Sequence, residues 1–148
     1  MKEVRFYHLT QTPLEKVLPK LLEKLYLSGQ RVLLKCKDDE AVTQWNRYLW
    51  SYTTKFFLPH GSKDNSYPEE QPIYLSTKID TPNHANCLVT IDQTVLFNHQ
   101  TITQLVDVFN GNDEQELLAA RQRWQEYKRQ NSMLTYWKQT PDGSWVQG

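Results

Sequence analysis

Glycine is scarce, at 5 of 148 residues, cysteine occurs only 2 times, and neither sign of charge is in excess. Each shortage excludes something. Cys36 and Cys87 lie far apart in the chain and form neither a CxxC pair nor a disulfide framework, so the cytoplasm is the default compartment. Lys and Arg number 17 against 17 Asp and Glu, a formal net charge of zero. Such a chain lacks the basic field expected of a protein that coats nucleic acid. No apolar run approaches the ~20 residues of a membrane span, and the opening Met1-Lys2-Glu3-Val4-Arg5 offers no signal-peptide core. The turn after the first predicted strand, Thr10-Gln11-Thr12-Pro13, contains no glycine, so a phosphate-binding loop is not expected there. Neither G-x-S-x-G nor H-E-x-x-H is present. The four histidines, His8, His60, His84 and His99, lack paired metal-ligand spacing. His84 with Cys87 three residues later falls short of the four ligands of a structural zinc site. These absences argue against catalysis, metal and cofactor, and leave a small hydrolase around His60 as the least favoured reading.

What the chain does have is Trp and Tyr. Five Trp and eight Tyr stand beside five Phe. Mean hydropathy is −0.70. Aromatic residues with a polar handle are enriched at interfaces, and a lean aliphatic core leaves some of them at the surface. The length predicts one domain over residues 1–148.

Val4 to Leu9 reads as a strand. Thr12-Pro13 opens a helix, with Thr12 as cap and Pro13 at the first helical position, and Leu14, Val17, Leu18, Leu21, Leu22, Leu25 and Tyr26 draw one apolar stripe along it. Gly29 closes it as a left-handed residue. Arg31 to Lys35 is a second strand. Asp38-Asp39 start a second helix whose apolar face is Val42, Trp45, Tyr48 and Leu49, with Trp50 on another face. This alternation predicts an α/β sheet. Gly61 to Gln71 reads as an exposed loop. Strands follow at Ile73–Leu75 and Leu88–Ile91, and Ile102 to Phe109 is read as a strand in preference to a helix. Asn112-Asp113 cap a last helix, which Asn131 ends. Leu134 to Trp137 suggests a short terminal strand and Pro141-Asp142-Gly143 a turn.

Two segments carry candidate function. Phe56-Phe57-Leu58-Pro59-His60-Gly61 is either a buried strand with its turn, or an aromatic patch in which Trp50 and Phe57 leave the core to anchor a partner. On the last helix Arg121, Trp124 and Lys128 form one row with Gln125 beside it, and Arg123 and Tyr127 form another. A cation beside an indole suits a ligand with a carboxylate and an aromatic body, such as an acidic peptide ending in an aromatic residue. It equally suits single-stranded nucleic acid held by Arg121, Arg123, Trp124 and Lys128, or a solvated helix end whose Trp packs inward.

Taken in order, Val4-Arg5-Phe6-Tyr7, Gly29-Gln30-Arg31-Val32-Leu33, Leu49-Trp50, Phe57-Leu58-Pro59-His60-Gly61, Pro72-Ile73, Leu88-Val89 and Ala120 to Lys128 resemble the chi subunit of bacterial DNA polymerase III holoenzyme. The resemblance implies a Rossmann-like three-layer α/β sandwich, a mostly parallel sheet with helices on both faces and no nucleotide-binding loop. It implies a non-catalytic bridge with two partners, the psi subunit of the clamp loader and the acidic C-terminal tail of single-stranded DNA-binding protein, and hence only indirect contact with DNA. By that resemblance Trp50, Phe57, Pro59 and His60 belong to the psi interface. Arg121, Trp124 and Lys128, with Gln125 and Val108 as neighbours, belong to the tail site. Asn131 stands where the family commonly has glycine, Gln125 where a lysine can occur, and the residues after Trp137 have no assigned role.

Overall fold

The computed structural model describes residues 2–53, 55–65, 67–91 and 101–148. His99, noted above as an isolated histidine, lies outside the described residues, as does Ser66 of the predicted loop. The elements run β1 (Glu3–Leu9), α1 (Leu14–Leu27), β2 (Val32–Lys35), α2 (Asp39–Ser51), β3 (Gly61–Ser62), β4 (Ile73–Ser76), β5 (Cys87–Thr90), β6 (Gln104–Asn110), α3 (Glu114–Arg129), β7 (Met133–Gln139) and β8 (Trp145–Gln147). The strands form one sheet in the order β3-β4-β2-β5-β6-β1-β7-β8. Every pairing is parallel except β7 with β8.

The sheet is a mixed α/β structure with a separate apolar core on each side. Side chains alternate along a strand, so β1 sends Tyr7 and Leu9 to one face and Val4 and Phe6 to the other. The first face is covered by the α1 stripe, Leu18, Leu21, Leu22 and Leu25, and by Val42 and Leu49 of α2. The second is covered by α3, which buries only Ala120, Arg123 and Tyr127. Both cysteines are buried. Burial pushes the Cys87 thiol up to about 12, so it stays protonated and inert. His84, three residues earlier in the chain, is exposed and in a left-handed backbone conformation, φ 58°. Among the described residues no helix is long and apolar enough to cross a membrane.

The termini of the helices follow their sequences, with one correction. The Asp38 side chain accepts from the Ala41 N–H, and Asp113 from those of Gln115 and Glu116. Gly29, at φ 83°, and Asn131, at φ 60°, take the left-handed positions after α1 and α3. Thr12, however, does not cap α1. Pro13 is the N-cap residue, without a side-chain cap bond. The predicted loop from Gly61 is also shorter than expected, because Gly61 and Ser62 pair with Tyr74 and Leu75 as β3.

Thr12 is instead part of a junction that closes the chain on itself. The Gln139 side-chain oxygen accepts the backbone N–H groups of Thr10, Gln11 and Thr12, each at 3.1 Å. Its amide nitrogen donates to Thr12 Oγ1 at 2.9 Å, and the Thr10 hydroxyl donates to the Gln139 carbonyl at 3.1 Å. Converging N–H groups at a strand-to-helix turn form a place that takes an anion in nucleotide-binding sheets. Here a carboxamide fills it. Beside it lies a crevice of about 490 Å³ between the β1 and β6 loops, bordered by Leu9, Asn110 and Asn112. Gln139 is held by the β7–β8 hairpin, whose turn uses Gly143 at φ 88° and whose Trp145 meets the Tyr7 ring edge-on at 5.2 Å. Gln139→Ala leaves three N–H groups without their partner and should cost about 1–3 kcal/mol. Urea unfolding of both proteins measures it, and an unchanged midpoint would assign the junction no energetic role.

Candidate functional site

Two surfaces emerge, one beside each core. On the first face the segment after α2 alternates. Leu58 is buried and Phe56 packs against the core, where its ring meets Tyr26 at 6.3 Å. Phe57 points outward, 63% exposed. The two readings of this stretch are thus both realised, residue by residue. Trp50 follows the last buried residue of α2, Leu49, and stands 49% exposed. Its ring lies 5.3 Å from Phe57 and 4.5 Å from His60. His60 itself is 1% exposed. Its Nδ1 lies 2.7 Å from the Leu58 carbonyl and its Nε2 2.9 Å from that of Asn46. Both ring nitrogens face backbone carbonyls, and the buried ring is the support on which Trp50 rests. Half-buried Pro59 links Leu58 to His60.

On the second face α3 meets the sheet through charge. Arg123 donates from Nε to Asp107 Oδ2 at 2.6 Å and from Nη2 to Oδ1 at 2.9 Å. Arg123 is 6% and Asp107 2% exposed. A two-point guanidinium–carboxylate contact fixes both position and rotation of the helix. With Arg123 inward, Arg121 and Gln125 are exposed and Trp124 is half-buried. Trp124 meets Phe6 at 5.3 Å and Tyr136 at 5.7 Å, both edge-on. A groove of about 410 Å³ opens here, walled by Phe6, Phe109, Leu117, Trp124 and Tyr136 and bordered by Arg121 and Gln125. At its inner end the Tyr136 hydroxyl is hydrogen-bonded to His8 Nδ1. The His8 ring stacks at 5.0 Å on Phe109 and leaves no room for a Cβ at Gly111. Burial lowers the His8 pKa, and Lys138 and Arg121 lower it further. Burial also raises that of Tyr136, against Arg121. An apolar trough bordered by a cation, Arg121, that makes no ion pair among the described residues can hold an amphiphilic anion.

Comparison with known proteins agrees with the sequence resemblance. The family described as DNA polymerase III chi subunit, HolC, matches residues 1–135. This chain belongs to that family. It is similar to the probable DNA polymerase III subunit chi of Rickettsia prowazekii, 28% identical over 153 aligned residues that cover 98% of this chain and 91% of that protein. It is also similar to DNA polymerase III subunit chi of Haemophilus influenzae, 24% identical over 139 residues covering 90% and 95%.

The structure brings together Arg121, Trp124 and Gln125, and separately Trp50, Phe57, Pro59 and His60. It places three of the expected residues away from the groove. Val108 faces the opposite core, with Tyr7 and Leu18; Phe109, one residue later and therefore on the other side of the strand, lines the groove. Lys128 is exposed but does not line the groove, since it stands one helical turn beyond Trp124. Arg123 is committed to Asp107, so it cannot join a nucleic-acid face. Phe6, Leu117, Tyr136 and His8 were not foreseen as site residues. The signal that could have found them is strand parity: Phe6 and His8 on β1 share a face with Phe109 on β6 and Tyr136 on β7.

Removing one partner of a buried ion pair strands the other. Arg123→Met should therefore destabilise the protein by about 3–5 kcal/mol, whereas Arg121→Ala should change stability by no more than about 0.5 kcal/mol. Chemical unfolding of both variants tests the assignment of the buried and exposed arginines.

Proposed function

We propose that this chi-family chain is a non-catalytic bridge in DNA replication. It would join the clamp loader, through the psi subunit, to the acidic C-terminal tail of single-stranded DNA-binding protein. On this reading it is a cytoplasmic single domain over residues 1–148, a Rossmann-like three-layer sandwich without cofactor. The observation that carries the reading is the groove beneath α3. Its aromatic walls fit an apolar terminal side chain, and Arg121 at its border supplies a partner for a terminal carboxylate. The Trp50–Phe57 patch, backed by His60, has the exposed aromatic character of an interface centre and is assigned to psi. Each contact is weak alone. Many tails on DNA coated by binding protein raise the effective concentration at the groove.

Calorimetric titration with an acidic peptide ending in Pro-Phe tests the tail site, beside the same peptide lacking its final Phe. The first should bind saturably and the second far less. Loss of a charge-assisted contact in Arg121→Ala should weaken binding about 10-fold to 100-fold. Raising salt from about 0.05 to about 0.5 M should weaken it as well, because screening acts on exposed charges. Binding of neither peptide would remove the tail site and bring forward direct binding of single-stranded nucleic acid, which an oligonucleotide titration reads. Trp50→Ala should impair capture of psi and leave peptide affinity unchanged. Equal loss of both would indicate unfolding.

A further inference from the structure

A separate groove of about 500 Å³ lies between α1 and α2, and the functions argued above make no use of it. Three lysines line it: Lys16 and Lys20 from α1, and Lys55 from the segment after α2. Lys16 and Lys20 stand one helical turn apart, a rise of about 6 Å, and Lys24 continues the row by another turn. All four are exposed, and among the described residues none of them makes an ion pair. The aromatic wall is Tyr48, Tyr52 and Phe56. The two tyrosine rings lie 6.3 Å apart with 32° between their planes. Their hydroxyls are fixed: Tyr48 donates to the Glu15 carbonyl at 2.8 Å, and Tyr52 to the Glu23 carboxylate. These bonds tie α2 to α1 and hold the rings in place. They also engage Glu23, which with Glu15 supplies the acidic side chains of the groove. The result is a row of lysines beside a preformed aromatic platform.

We infer that the α1–α2 groove binds single-stranded DNA directly, with Lys16, Lys20 and Lys55 on the phosphates and Tyr48 and Tyr52 under the bases. Sequence-tolerant single-strand sites combine these two elements, a positively charged track and aromatic rings on which any base stacks. Every cation here is a lysine, a point charge with rotatable donors that suits phosphates on a mobile backbone. An acidic protein segment is gripped better by arginine forks and by a pocket for an anchoring side chain. Membership of a DNA polymerase III family makes DNA the strand at hand. The chain as a whole is neutral, so the attraction is local to this face and involves few phosphates. The inference is independent of the tail site, which lies under α3.

The test is a fluorescence-anisotropy titration of the full chain with a labelled oligothymidylate about 15 nucleotides long, without binding protein. Between about 0.02 and about 0.2 M salt, three phosphate contacts should give log affinity a slope of about −2 against log salt. Lys20→Gln and Lys55→Gln should each weaken binding about two- to five-fold and make that slope shallower by about 0.7. Tyr48→Leu should weaken it about five-fold or more with the slope unchanged, while Tyr48→Phe, which keeps the ring, retains it. Lys138→Gln on β7 measures what loss of any one positive charge does. An excess of the Pro-Phe peptide should not displace the oligonucleotide. The inference is overturned if the wild-type protein does not bind at the lowest salt, or if Lys20→Gln and Lys55→Gln weaken binding no more than Lys138→Gln. It is overturned equally if Tyr48→Leu binds as tightly as Tyr48→Phe, or if the Pro-Phe peptide competes, which would move the strand to the α3 face. A polyglutamate peptide that binds as tightly and depends on the same lysines would overturn it in favour of an acidic protein partner.

Discussion

The Asp107–Arg123 contact sets the geometry of one whole face of the molecule. α3 is a polar helix that buries three side chains, and one of these is the arginine. Hydrophobic burial of Ala120 and Tyr127 holds such a helix against the sheet but specifies its rotation poorly. The two-point contact to β6 specifies it. A buried ion pair is weak evidence of net stabilisation, because desolvation offsets the attraction. Its effect here is orientation: with Arg123 turned in, helical geometry turns Arg121 and Gln125 out and lays Trp124 along Phe6 and Tyr136. The groove is the space left between a helix of fixed rotation and a strand surface of fixed parity.

β1 supplies that parity. It lies between β6 and β7, and its residues divide strictly: Phe6 and His8 support the groove, while Tyr7 and Leu9 belong to the core under α1 and α2. The aromatic patch at the end of α2 is built on that other core, through Leu49, Phe56 and Leu58. The two surfaces are thus carried by helices on opposite faces of one sheet. On the bridging proposal, both surfaces could be occupied at once, since they lie on opposite faces.

Much of this was legible in the sequence, for identifiable reasons. Helix caps at Asp38 and Asp113, and left-handed ends at Gly29 and Asn131, are local chemistry and appear as expected. The outward position of Trp50 follows from helical spacing relative to Leu49. What failed was long-range. A strand over residues 102–109 does not say which parity faces α3, and the resemblance names Val108 where Phe109 lines the groove. Arg123 looked like one more surface cation until Asp107, on another element, was seen to meet it. Gln139 and Thr12 are separated by nearly the whole chain, so Thr12 read as an ordinary cap.

The Gln139 junction shows how a phosphate-binding geometry can persist without phosphate chemistry. The turn after β1 still aims three N–H groups at one point, as in sheets that bind nucleotides there. The sequence omits the glycines that would let a ligand approach closely, and supplies from β7 a neutral oxygen that satisfies the same donors. The carboxamide nitrogen then ties the turn to Thr12 and so to the start of α1. A ligand at that point would have to displace an oxygen that is already hydrogen-bonded three times and tethered to the sheet. Satisfying those donors from within removes the incentive to bind an anion at the crevice, while Arg121, outside any ion pair among the described residues, leaves one on the α3 face. The two ends of the fold thus differ in satisfied and unsatisfied charge more than in the shape of the sheet.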